Sequence, residues 1–236
     1  GKGSWEGKVQ KEGSRVLEQN NLTQKNFFDE YASAVELMES SRETDFTYVA
    51  KRTIDIIVSL FSLPFALIII ILFSIVIKLE SPGPAIFTQV RVGQHGKYFK
   101  VYKLRSMTVD AEKNGAVWAQ QNDPRVTKVG KLIRKTRIDE LPQLINILKG
   151  DMSLVGPRPE RPMFTAEFEK EIPGFTRRLL VKPGLTGWAQ VNGGYEITPE
   201  EKLKLDLYYI DNLSLSLDFK IILKTIKVVI TGDGAR

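Results

Sequence analysis

Cysteine is absent from this 236-residue sequence, and histidine occurs once, at His95. Without thiols there is no disulfide scaffold, CxxC redox centre, thiolate zinc site or cysteine nucleophile, and one imidazole excludes a multi-histidine metal site. A Ser-His-Asp triad would have to use His95. Charge is also unevenly supplied: residues 1–50 hold 6 Lys and Arg against 9 Asp and Glu, and the rest holds 28 against 19. An acidic arm therefore precedes a basic body. A basic body seeks anions, which could be nucleic acid, anionic lipid headgroups or phosphorylated small substrates. The cations are interspersed with long apolar runs and no nucleic-acid module is recognisable, so nucleic acid is set aside.

Charge is missing altogether from Ile56 to Ile77, twenty-two residues reading IIVSLFSLPFALIIIILFSIVI. That length meets the requirement of about 20 residues for a membrane helix. The run is too long and too uniformly apolar to leave a polar face for water, which disfavours a core helix, and a cleaved signal peptide would not follow some fifty polar and acidic residues. Pro64 divides the run into segments of about 12 Å and 20 Å at helical rise, each shorter than a hydrocarbon core of about 30 Å. Ser62 beside it offers a hydroxyl to backbone groups that the proline frees. Lys51 and Arg52 precede the run, and Lys78, Arg91, Lys97, Lys100, Lys103 and Arg105 follow it, so both ends read as cytoplasmic. These features predict a re-entrant helix-break-helix hairpin in one leaflet, with a kinked single span as the alternative.

Three regions follow from this reading: an acidic arm over 1–48, a membrane segment over 49–80, and a catalytic or interfacial body over 81–236. Residues 26–38 form an amphipathic pattern suited to packing or to a homodimer contact. FTQVRVGQHGKYFKVYKLRSM alternates like a pair of short strands around Gly93 and Gly96. DPRVTKVGKLIRKTRI predicts a basic amphipathic helix carrying Val126, Val129, Leu132 and Ile133. Thr198, Pro199 and Glu201 predict a capping-box start for a helix through about Asn212. A last helix over 218–230 sets Lys220, Lys224 and Lys227 on one side, as an interfacial helix would. The expected fold is mainly α with a small β element, a monotopic membrane protein with interfacial amphipathic helices.

Chemistry concentrates between Arg134 and Pro162, RKTRIDELPQLINILKGDMSLVGPRPERP. Pro142 is tolerated only in a first turn, which predicts Asp139 at or near a helix N-cap and Glu140 in the first turn. Capping alone would account for those carboxylates, but adjacent hard oxygens also suit Mg²⁺, and a carboxylate can attack phosphorus. Pro157 and Pro159 confine Arg158 to extended backbone, limiting the entropy lost when its guanidinium meets a phosphate. Lys103 and Arg105 add cations at alternate positions.

The runs FTQVRVG, KLRSM, IDELPQLINILKGDMSLVGPRPE, KPGLTGWAQVNG and LDLYYIDN, in that order, resemble the bacterial sugar transferase family of monotopic phosphoglycosyl transferases over residues 49–236. The resemblance implies transfer of a sugar 1-phosphate from a UDP-sugar to polyprenyl phosphate, with UMP released, as the first membrane step of capsule, exopolysaccharide or glycoconjugate assembly. It implies Asp139 as nucleophile and Glu140 as its partner in metal binding and proton transfer, with Mg²⁺ as cofactor. Arg158 would hold the nucleotide end, and Arg134 would meet the lipid phosphate. Asp206 matches a recurrent aspartate, and Ser62 and Pro64 match the family's membrane break. The implied setting is the cytoplasmic face of a bacterial plasma membrane. Gly194 stands where many relatives have arginine, so a sugar contact by that arginine is not carried over. The membrane bundle that larger relatives place before this region is not in this sequence. From a different class, a membrane-attached scaffold that binds anionic lipid would also explain the basic body, but not the paired carboxylates.

Overall fold

The computed structural model describes residues 46–120, 122–194 and 197–232. The arm up to residue 45, including the amphipathic pattern over 26–38, lies outside them. Helix α1 runs from Phe46 to Glu80, thirty-five residues with Pro64 inside. It is long and apolar enough to cross a membrane, with a mean hydropathy of 3.0 in its most apolar window. The expected interruption at Ser62 and Pro64 is not a gap in the helix. A proline removes one N–H and displaces one carbonyl, while the rest of the ladder persists on either side.

Packing reinforces that continuity. Lys51, Asp55, Ser59, Ala66, Ile70 and Ile77 are buried, at spacings that keep to one helical stripe along the whole element. The stripe changes character along its length. Its first half is polar: Lys51 Nζ binds Asp218 at 2.5 Å, the Tyr209 hydroxyl at 3.0 Å and the Val155 carbonyl at 2.9 Å. Asp55 accepts from Ser153 Oγ at 2.7 Å and Leu154 N at 3.1 Å. Its second half is apolar, with Ala66, Ile70 and Ile77 joining Val101, Leu104, Ile133, Ile147 and Met152 in the main core. Most large side chains on the opposite side, from Ile57 to Leu79, are exposed. Both ends of α1 are thus fixed to one body.

Strands β1 (Ile86–Val92) and β2 (Tyr98–Leu104) form the expected antiparallel hairpin, with Ile86 opposite Leu104 and Val92 opposite Tyr98. Helix α2 (Lys128–Lys135) is capped by Thr127 Oγ1, which accepts from Gly130 N. Glu80 adds a second cap from the end of α1, its two oxygens accepting from Lys128 N and Val129 N at 2.8 and 2.9 Å. A carboxylate there complements the positive end of the helix dipole. Helix α3 (Gln143–Lys149) packs under α1, and α4 (Pro162–Glu171) follows the proline-rich run.

A second sheet was not legible in advance. Strands β3 (Ser153–Val155) and β4 (Gly184–Thr186) pair in parallel, Ser153 with Gly184 and Val155 with Thr186. Gly156 and Gly184 permit this close approach: a Cβ on Gly184 would fall 2.0 Å from Gly156 N. Helices α5 (Trp188–Gly193), α6 (Pro199–Asp211) and α7 (Leu215–Thr231) complete the chain, α6 opening on the expected capping box. On α7, Phe219, Leu223, Ile226 and Ile230 form an exposed apolar stripe. Lys220 and Lys224 beside it lie 5.7 and 4.9 Å from the Trp188 ring centre.

Candidate active site

Asp139 and Glu140 do not cap a helix. They lie in a 3₁₀ turn over Ile138–Glu140, a turn ahead of α3, and Pro142 itself takes the N-cap position of that helix. The tight turn arises because Arg137 adopts the left-handed conformation (φ 59°, ψ 17°). Bonds from Glu140 N to Arg137 O and from Leu141 N to Ile138 O then close successive three-residue turns. A left-handed arginine is uncommon, and it turns two adjacent carboxylates toward different partners.

Glu140 is fully engaged. Its Oε1 accepts from Arg158 at 2.8 Å, and its Oε2 accepts from both Nε and Nη2 of Arg137 at 3.0 and 2.8 Å. Arg137 also donates to the Leu185 carbonyl at 2.6 Å and to Gln190 Oε1 at 3.1 Å, fastening the turn to β4 and α5. Burial alone would lift the Glu140 carboxyl, but the two guanidiniums outweigh it and hold it well below the usual range.

Asp139 is different. Its carboxylate accepts no hydrogen bond among the described residues, and its ion-pair partner is Lys103, whose Nζ lies 3.8 Å from Oδ2. Burial raises the Asp139 carboxyl, with Lys103 opposing the rise and Glu140 adding to it. Burial also pushes the Lys103 ammonium down, to about 8, while Asp139 resists the fall. The pair combines a lightly solvated, weakly bonded carboxylate with a cation whose charge is lost just above neutrality.

These groups face a cleft of about 440 Å³ that also takes in Arg91, Arg134, Arg161, Gln190 and Gly194. Among the described residues nine cations and four carboxylates line it, a strong preference for anionic ligands. Arg134 donates from Nε to Ser106 Oγ at 2.8 Å, which sets its fork at the cleft wall. Arg105 also lines the wall, but its guanidinium is tied to Ser81 and Pro84 in the turn that follows α1.

Lys103, Arg105, Arg134, Arg158, Asp139 and Glu140 therefore converge as expected from their sequence positions. Pro157 and Pro159 act through their carbonyls, which accept from Gly184 N and from Arg91 Nη1. Asp206 stands behind the cleft, buried against Arg178 at 3.0 Å, and Arg178 in turn donates to the Arg158 carbonyl. That pair braces the proline-flanked arginine from below. Ser62 and Pro64 lie on α1, outside the residues that line the cleft. Arg91, Arg137 and Gln190 were not singled out as site residues. The left-handed backbone of Arg137 has no local signature in the sequence, and Gln190 follows β4, whose place is set by its pairing with β3.

The donor set bears on a divalent cation. Among the described residues no group of three or more His, Asp or Glu side chains could hold a metal. Asp139 offers a hard anionic oxygen, while both Glu140 oxygens are occupied by arginines. One carboxylate without a hydrogen bond, facing an anion-binding cleft, fits Mg²⁺ to the extent that the ion keeps several waters and shares its coordination between a carboxylate or two and substrate phosphates.

Comparison with known proteins gives a consistent result. The family model described as bacterial sugar transferase matches residues 46–232. An Aeromonas hydrophila protein named UDP-N-acetylgalactosamine-undecaprenyl-phosphate N-acetylgalactosaminephosphotransferase is 50% identical over 189 residues, 79% of this chain and 45% of its own length. The sugar transferase EpsL of Bacillus subtilis is 45% identical over 190 residues, 79% of this chain and 90% of its own length. The UDP-glucose:undecaprenyl-phosphate glucose-1-phosphate transferase of Escherichia coli is 44% identical over 181 residues, 75% of this chain and 39% of its own length. The chain thus spans less than half of the first and third of these relatives.

Proposed function

We propose that this chain, which belongs to the bacterial sugar transferase family, transfers a sugar 1-phosphate from a UDP-sugar to undecaprenyl phosphate. The observation that carries the reading is the contrast between the two acids: Glu140 is locked by hydrogen bonds from Arg137 and Arg158, while Asp139, held only by an ion pair with Lys103 at 3.8 Å, faces a cation-lined cleft. An ordinary structural ion pair would leave neither acid available.

In the proposed reaction the Asp139 carboxylate attacks the β-phosphorus of the donor. A bond forms between Asp139 and that phosphorus, and the bond to the bridging oxygen breaks, so UMP departs with the electron pair. The chain then carries the sugar phosphate as a mixed anhydride. A phosphate oxygen of the lipid acceptor attacks the same phosphorus, restores the carboxylate and yields the diphosphate-linked sugar. Lys103 keeps Asp139 ionised before attack and balances its charge. Arg134 and Arg158 hold phosphate oxygens in line, as positioned cations do in phosphoryl transfer. Glu140 orients Arg137 and Arg158 so that the cleft is preorganised. Asp139, together with Glu140 if an arginine releases it, would hold Mg²⁺, which supplies charge neutralisation of the donor diphosphate.

The acceptor requires a membrane. Both ends of α1 are fastened to the same body while its outer side is apolar, which supports an anchor entering and leaving one leaflet rather than crossing the bilayer. The basic flanks and the soluble nucleotide donor favour the cytoplasmic face of the plasma membrane. Such a placement lets one carboxylate serve a soluble donor and a lipid-borne acceptor in turn.

The test is UMP release from a panel of UDP-sugars, beginning with UDP-N-acetylgalactosamine, with undecaprenyl phosphate and Mg²⁺ present. Lipid-linked sugar formed in step with UMP is the expected product. Vesicle binding without UMP release from any sugar nucleotide would instead favour a scaffold.

A further inference from the structure

The cleft is asymmetric. Around Asp139 it is cationic, and on one side it meets Ile86, Phe87, Val228 and Val229, which are contiguous with the apolar surfaces of β1 and α7. Another part of its lining is aromatic and polar. There Trp118, from the segment joining β2 to α2, meets Phe164 on the first turn of α4. The ring centres of Trp118 and Phe168 are 5.4 Å apart, and those of Trp118 and Phe164 are 6.5 Å apart, both tilted.

The indole is held without being covered. Lys202 Nζ lies 5.9 Å from its ring centre and is itself fixed by Glu160 at 3.3 Å. Arg161 stacks its guanidinium over Phe164 at 5.6 Å and binds Glu112, on the same segment as Trp118, at 2.6 Å. Trp118 nonetheless keeps 38% of its surface open. Fixed aromatic surface beside charged hydrogen-bonding groups matches a nucleobase, which has flat faces and polar edges. An isoprenoid chain would favour the uncharged apolar part of the lining formed by Ile86, Phe87, Val228 and Val229.

The spacing is compatible with one ligand reaching both regions. Arg158, beside the reacting carboxylates, and Arg161, at the aromatic end, are three residues apart, at most about 10 Å of extended chain. A nucleoside joined to a sugar through a diphosphate bridges groups at that separation.

We propose that Trp118 and Phe164 form the base subsite of the donor, the uracil ring stacking on the indole while its diphosphate lies on the cations around Asp139. The inference rests on the donor being a UDP-sugar. It also fixes polarity: the base lies toward α4, and the acceptor tail approaches from the side of β1 and α7.

Binding of UMP and of ribose 5-phosphate, which carries a phosphate but no base, should be compared for the full chain in lipid nanodiscs. The wild type is expected to prefer UMP by roughly 5- to 100-fold, the range of one base stacked on an aromatic side chain. Trp118→Ala should remove most of that preference by weakening UMP alone, and Trp118→Leu, which keeps apolar packing, should do the same; Trp118→Phe should retain much of it. In turnover, the KM for the UDP-sugar should rise more than kcat falls, with the acceptor KM unchanged. Unchanged UMP preference in both Trp118→Ala and Trp118→Leu overturns the proposal, as does a rise confined to the acceptor KM. Should the wild type release no UMP from any UDP-sugar, the transferase reading fails, and the UMP to ribose 5-phosphate comparison still decides the subsite.

Discussion

Lys103 Nζ stands 3.8 Å from Oδ2 of Asp139, while the oxygens of neighbouring Glu140 are bound by Arg137 and Arg158. Two acids adjacent in sequence therefore have opposite electrostatic settings: one is held firmly ionised, and the other is lifted by burial and opposed by a single lysine.

That opposition gives a pH dependence with a definite sign. Asp139 must be ionised to attack, so the rate rises with pH through its elevated titration. Lys103 favours the ionised form until it loses its own proton near pH 8, and the rate then declines. Replacing Lys103 with Met leaves burial and Glu140 less opposed. The acid limb should then move to higher pH, the alkaline limb near 8 should vanish, and UMP release at pH 7 should fall roughly 10- to 100-fold. Lys103→Arg should instead carry the alkaline limb upward, because its guanidinium keeps its proton. Initial rates of UMP release across pH check both variants.

Arg137 is expected to matter for positioning as well as for stability. Glycine adopts a positive φ without the steric cost that arginine bears, about 1 kcal/mol, which offsets part of the lost ion pair. Arg137→Gly should therefore lower the melting temperature, though by less than the loss of its bonds to Glu140, Leu185 and Gln190 alone would. It should lower kcat by about 10- to 100-fold as Glu140 and Gln190 lose their shared anchor, with donor KM less affected. Thermal unfolding and steady-state kinetics on the same preparation separate the two effects.

The local signals read well. The hairpin around Gly93 and Gly96, the capping box at Thr198 and the terminal helix with its lysines all depend on residues near one another in sequence. The convergence of Lys103, Arg134, Arg158, Asp139 and Glu140 was also foreseeable, because each lies in a distinctive motif. What was not legible required distant pairing or unusual backbone. The N-cap expected for Asp139 failed because a left-handed Arg137 and Pro142 move the start of α3 beyond the acids. The parallel β3–β4 pair and the Arg178–Asp206 brace join segments some thirty residues apart and leave no periodic trace. Pro64 read as a break because its lost hydrogen bond is local, whereas the buried stripe of α1 depends on the folded body.

Anchor topology has a direct test. The sequence contains no cysteine, so single cysteines near residues 10 and 95 report accessibility without background. In vesicles of known orientation, an impermeant maleimide should label both positions from the same side. Opposite accessibilities would mean that α1 crosses the bilayer and would remove the one-leaflet arrangement.

The most direct measurement is the mass of the intact protein after incubation with a UDP-sugar and Mg²⁺ in the absence of lipid acceptor. A gain equal to one sugar phosphate, mapped to the peptide containing Asp139, discharged by undecaprenyl phosphate and absent from Asp139→Asn, is the predicted result. Transfer of sugar phosphate to the lipid with no such adduct at any time, or an adduct that persists in Asp139→Asn, would contradict the account.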